Sequence, residues 1–168
     1  MTRRDFVALA AQMASRGVRP TPTGKRSGLP FSKFVNVAQE AGLREPVKYG
    51  PSGHTDFAIE AMGCGCAFLD FDNDGWLDVL LLAGEGGTIR LYRNNRDGTF
   101  AEAARLKHSG WTAGVTVGDF DNDGFDDLFI TGWPRNYLYR NNGDGTFTDI
   151  TEKAGLLRPG AHYATGAT

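Results

Sequence analysis

DFDNDGWLDVLLL, residues 70–82, and DFDNDGFDDLFIT, residues 119–131, are two copies of one pattern set 49 residues apart. A second pair follows in the same order: YRNNRDGTF at residues 92–100 recurs as YRNNGDGTF at residues 139–147, 47 residues on. Two motifs recurring in order at nearly equal spacing define a structural repeat. Short apolar runs bounded by Gly, Asn and Asp punctuate each copy, which reads as strands joined by tight turns. In the first unit the predicted strands are Cys64 to Leu69, Asp78 to Ala83, Thr88 to Asn94 and Phe100 to Arg105. In the second they are Val115 to Gly118, Leu128 to Thr131, Tyr137 to Asn141 and Phe147 to Ile150. The Asp-Gly pairs in NNRDGTF and NNGDGTF suit the hairpin between the third and fourth strands and are read as turns, not metal sites. Four short antiparallel strands per unit of this length describe a β-propeller blade, so the expected fold is all-β.

The aspartates of the repeat have a specific arrangement. In D-x-D-x-D-G-x-x-D the first, third and fifth side chains converge as the backbone curls, and Gly75 or Gly124 permits the sharp turn at the sixth position. Asp70, Asp72 and Asp74, the backbone carbonyl of Trp76, and Asp78 are therefore candidate metal ligands. Asp119, Asp121, Asp123, the carbonyl of Phe125, and Asp127 repeat the set. Two carboxylates about 4 Å apart repel by roughly 4 kcal/mol at an effective dielectric of 20, so four in one loop call for a cation. An all-oxygen donor set favours calcium, whereas zinc and copper would lack nitrogen or sulfur ligands. An EF-hand is excluded, because its twelfth position needs an acid and here holds Leu81 or Ile130. Asp126 lies outside the ligand pattern and is expected to face solvent.

The flanks extend the repeat. FVNVAQEAGL from Phe34 matches FTDITEKAGL from Phe147, so a closing segment precedes the first unit, and TEKAGL reads as one helical turn ended by Gly155. Gly65, Gly114 and Gly166 hold matching places, the first two each five residues before a loop aspartate. The expected organisation is thus blade units at about 62–110 and 111–157, with a further blade starting at 158–168. About two complete blades with partial flanking blades cannot close a ring, which implies a fragment or assembly with other chains.

Composition agrees with this division. The 168 residues include 23 glycines, carry a formal net charge of −2, and concentrate nine of their 20 acids in residues 70–78 and 119–127. Such clustering gives the carboxylates a local role. Residues 1–33 hold seven Lys or Arg and one acid, Asp5. Their start, TRRDFVALAAQMAS, resembles a twin-arginine export signal over residues 1–14, followed by a basic Gly/Pro/Ser-rich linker at 15–33. Export to the periplasm or outside the cell is expected. No run of about 18 apolar residues is present to span a bilayer as a helix. Cys64 and Cys66, two apart on a strand, are poorly placed for a mutual disulfide and are expected to be small buried residues.

On DFDNDG, the NN-x-DGTF turns and the F-x-x-V/I-x-x-x-AGL segment, residues 34–168 resemble FG-GAP and VCBS repeats of the cartilage acidic protein, ASPIC/UnbV-associated type. The resemblance implies integrin α-like blades, in which a calcium loop joins the first two strands, within a ring of about seven. It implies two calcium ions on the ten residues named above. The expected function is a non-catalytic, calcium-rigidified module that binds a protein or cell-surface partner. The alternative is a glycan-binding, lectin-like propeller using Trp111, Trp133 or Tyr163, of which Trp133 is the best placed. A third reading makes it a non-catalytic part of a polysaccharide-active enzyme. Glu60, Glu85, His54, His108 and His162 are scattered and form no catalytic set, and nucleic-acid binding lacks a basic surface outside the N-terminal segment.

Overall fold

The fold follows from a computed structural model, which describes residues 34–50, 56, 58–61, 63–157 and 159–166. The expected export signal and the whole of the linker, together with His54 and Met62, lie outside the described residues. Among the described residues, eight strands form two four-stranded antiparallel meanders. The first contains β1 (Cys66–Leu69), β2 (Asp78–Leu81), β3 (Ile89–Asn94) and β4 (Phe100–Leu106), in that order. The second contains β5 (Trp111–Gly118), β6 (Asp127–Trp133), β7 (Tyr137–Asn141) and β8 (Phe147–Asp149). The only helical element among the described residues is a 3-10 turn at Ala58–Ala61.

The strand assignments made from sequence hold, with shifted ends. β5 begins at Trp111 rather than Val115, because Trp111 pairs with Trp133 and Thr112 with Gly132 across a bulge that the apolar pattern did not signal. TEKAGL forms the expected turn, closed by a bond from the Ala154 N–H to the Ile150 carbonyl at 2.8 Å, with Gly155 at φ 70°.

One core joins the sheets. Leu80, Leu82, Ile89 and Leu91 form a single buried cluster with Leu128, Ile130, Tyr137 and Tyr139. In the repeat, Leu128 corresponds to Val79 and Leu80 to Phe129, so the two sheets contribute positions one residue out of step. Alternate residues of a strand point to opposite faces. The first sheet therefore buries one face and the second sheet its other face, as consecutive blades do when stacked in the same sense. Burying about 1.5–3 kcal/mol per large apolar side chain, this shared cluster supplies the main cohesion between the units.

The inner edges stack through glycine. A Cβ added at Gly65 would lie 3.4 Å from the Gly114 Cα, and one added at Gly114 would lie 3.2 Å from the Gly166 Cα. Residues 161–166 thus sit beside the second sheet as Gly65 sits beside Gly114. Thr112 fastens the units, accepting the Ala83 N–H at 3.2 Å and donating to the Ala83 carbonyl at 2.7 Å. On the first sheet's outer strand, the Phe100 N–H donates to the Ala41 carbonyl at 2.8 Å, which anchors the segment containing Ala-Gly-Leu at 41–43.

Both cysteines are free. Cys64, just before β1, is half-buried and burial pushes its thiol up to about 12. Cys66 is exposed, contrary to the expectation of a buried residue, because it occupies the outward side at the start of an edge strand.

Candidate metal centre

Each acidic loop spans the connection from the first to the second strand of its sheet. Local chemistry builds the curl. Asp70 Oδ1 accepts the Asp74 N–H at 3.0 Å and Oδ2 the Gly75 N–H at 2.9 Å. Asp119 repeats this with the Asp123 N–H at 3.1 Å and the Gly124 N–H at 2.9 Å. The turn needs left-handed backbone, which Gly75 (φ 85°) and Gly124 (φ 91°) adopt freely and Asn73 (φ 54°) and Asn122 (φ 57°) tolerate.

The closing aspartates are the buried ends of the loops. Asp78 Oδ1 accepts the Asn94 N–H at 2.8 Å and Oδ2 the Phe71 N–H at 3.2 Å. Asp127 does the same with Asn141 at 2.7 Å and Phe120 at 3.1 Å. Burial pushes the Asp78 carboxyl up to about 6, against the pull of those two N–H groups, and nearby Asp72 and Asp74 add to the rise. Asp127 is raised for the same first reason, burial, with its two N–H partners opposing. A bound divalent cation would favour the ionised form that burial penalises.

Three carboxylates converge in each loop. Asp70, Asp72 and Asp78 each bring an oxygen within 4.8 Å of the others, and Asp119, Asp121 and Asp127 form the matching triad. Asp72 Oδ1 is buried and accepts no hydrogen bond from the protein, so it is free to meet a cation. The hard, all-oxygen donor set fits a divalent cation of the calcium or magnesium kind. Asp74 and Asp123, expected beside them, instead accept the Trp76 and Phe125 N–H groups, each at 2.9 Å. Asp74 Oδ2 also meets Arg96 at 2.7 Å and Arg93 at 3.2 Å, and the Arg96 guanidinium is the main cause that holds its carboxyl low.

Several contributors were not recognised from sequence. Arg93 pairs with Asp72 Oδ2 at 2.8 Å. Asn94 and Asn141, the first Asn of each NN-x-DGTF motif, tie loop to hairpin through their side chains. Asn141 also donates to the Phe71 carbonyl of the first loop at 2.8 Å, and Asn73 donates to the Gly124 carbonyl at 2.8 Å, so the two loops adjoin. Asp126, expected to face solvent, is instead partly buried between the loops. Burial raises its carboxyl, the Asp70 backbone N–H lowers it, and the charges of Asp70 and Asp119 raise it further. The repeated spacing of the Asn residues was the available signal.

The hairpins behave as turns. Asp97 and Asp144 accept the N–H and hydroxyl of Thr99 and Thr146 within their own loops. Of the aromatic candidates, Trp133 is 38% exposed with its ring 5.5 Å from buried Trp111, and Tyr163 is 46% exposed. His108 and His162 each bond a backbone carbonyl, of Gly84 and Pro159 respectively, and Glu60 accepts the Asp56 N–H at 2.7 Å.

Stacked four-stranded meanders carrying a matched acidic loop after each first strand define a blade-repeat protein of the β-propeller class. The sequence family described as FG-GAP-like repeat matches residues 70–130 and 119–167. The chain belongs to that family. No curated protein gives a significant match. Among the described residues no helix is long and apolar enough to cross a membrane.

Proposed function

We propose that the chain is a calcium-stabilised, non-catalytic interaction module. The observation that carries this reading is the pair of matched carboxylate triads at Asp70, Asp72, Asp78 and Asp119, Asp121, Asp127. Calcium rather than magnesium suits curled loops of many carboxylates, since magnesium demands near-ideal octahedral geometry and keeps more water. Asp74, Asp123 and the carbonyls of Trp76 and Phe125 complete the proposed ligand set. The metal supplies positive charge that draws each loop together, and the chain's own residues fix its walls: Gly75 and Gly124 allow the turn, and Asn94 and Asn141 hold the buried aspartates. A rigid rim of this kind presents its loops to a protein or cell-surface partner.

Export belongs to the same reading. Extracellular modules bind calcium at roughly 10⁻⁴ to 10⁻³ M, which suits millimolar calcium outside a cell. Affiliation with the ASPIC/UnbV-associated proteins, integrin α-like blades and a larger ring are further parts of it. The lectin-like alternative rests on the exposed Trp133 ring backed by Trp111, and a glycan array separates it from protein binding.

Calorimetric titration of the full chain with calcium tests the proposal. Two binding events per chain are expected, both lost in an Asp72→Asn, Asp121→Asn double variant. A folded wild-type chain that takes up no calcium would sink it.

A further inference from the structure

The two loops are close copies, yet their surroundings differ in charge. In the first, two guanidinium groups reach the acids: Arg93 contacts Asp72 at 2.8 Å and Asp74 at 3.2 Å, and Arg96 contacts Asp74 at 2.7 Å. In the second, Gly143 stands where the first repeat has Arg96, and Arg140, the counterpart of Arg93, bonds Asn142 at 3.3 Å. Among the described residues no Lys or Arg pairs with Asp119, Asp121, Asp123 or Asp127. Four loop carboxylates therefore face two fixed cations in one loop and none in the other.

Arg96 holds this position against a backbone cost. Its φ is 67°, in the left-handed region, where Gly143 has φ 73°. Glycine adopts that conformation readily and arginine does not. What arginine adds there is a guanidinium aimed at Asp74. The contact gives Asp74 a cationic partner that Asp123, held in the same N–H turn, lacks.

Resting on the metal-binding reading above, we infer that the loops have unequal roles: the first carries its own counter-ion in Arg96, is ordered without metal and binds calcium weakly, whereas the second is ordered by calcium and binds it tightly. Arg96 is a positioning residue, acting through Asp74. An entering ion must displace its ion pair and overcome its charge. The second loop has no such competitor, so its calcium does all the neutralising. As free calcium rises, the second loop fills first and the first loop becomes a second, higher threshold.

The test uses full-length chains with one loop silenced. Asp121→Asn leaves the first loop and Asp72→Asn the second, and each is titrated calorimetrically with calcium. The second loop is expected to bind more tightly. Adding Arg96→Gly to the Asp121→Asn chain should tighten the first loop by roughly twofold to fivefold, as for removal of a competing exposed ion pair. Arg96→Lys, which keeps a cation, should leave it close to its starting affinity. Amide exchange of the metal-free wild type supplies a readout independent of binding: the Gly75 N–H should be protected more than the Gly124 N–H, and Arg96→Gly should remove the difference. Intact calcium binding with equal affinities that Arg96→Gly does not change would overturn this inference alone. Loss of calcium binding from both loops of a folded wild-type chain would overturn the metal-binding reading with it.

Discussion

Saturating calcium is expected to raise the stability of this chain by several kcal/mol. A ligand that binds only the folded state stabilises by about 1.4 kcal/mol at tenfold its dissociation constant and about 2.7 kcal/mol at a hundredfold. With extracellular-type affinities, 10 mM calcium corresponds to those ratios, so two loops together contribute about 3–5 kcal/mol. For a chain of 168 residues each kcal/mol moves the melting temperature by about 2–4 °C, which places the rise near 10 °C. Scanning calorimetry in chelator and in calcium checks it. The physical origin is the four aspartates gathered in each loop, with Asp78 and Asp127 buried and their carboxyls raised. A melting temperature unchanged by calcium would remove the structural role proposed for the metal.

Asn141→Ala is expected to cost about 3 kcal/mol. The side chain is fully buried, donates to the Phe71 carbonyl at 2.8 Å and the Asp126 carbonyl at 3.2 Å, and accepts the Gly143 N–H at 3.0 Å. Each net hydrogen bond contributes about 1 kcal/mol, and each buried partner left unpaired costs more. Asn94→Ala is the internal control. Among the described residues Asn94 donates to the Leu77 carbonyl and accepts the Arg96 N–H, and its side chain makes no bond to the other unit. Its loss should cost about 2 kcal/mol, leaving a difference of about 1 kcal/mol for the link between sheets. Urea unfolding in chelator measures both, with an unchanged slope expected. Equal costs would show that the bond to Phe71 adds nothing.

The sequence made the repeat and its strands legible because both are local. Tyr137–Asn141 falls where the apolar pattern puts it, and the loop turns at Gly75 and Gly124 follow from residue type. Relations between units were less accessible. Asp126 was placed in solvent by its position outside the ligand pattern, yet the packing of one sheet on the next carries it to the Asp70 backbone. A comparison of repeats shows which positions recur but not which loops meet.

Asp74 illustrates a second limit. Its spacing fits the ligand series, and its carboxylate also meets Arg93 and Arg96, 19 and 22 residues further along. The hairpin between β3 and β4 folds those arginines over the loop, a consequence of register that no motif records. The difference between Arg96 and Gly143 was visible in the aligned repeats. Its meaning required knowing that both occupy the same left-handed turn position beside an acidic loop.

The most direct test of the central claim is anomalous diffraction from a crystal of the full chain grown in millimolar calcium. Two peaks are expected, each about 2.3–2.6 Å from carboxylate oxygens, one at Asp70, Asp72 and Asp78 and the other at Asp119, Asp121 and Asp127. Well-ordered loops without a peak at either triad, or peaks only elsewhere on the chain, would contradict it.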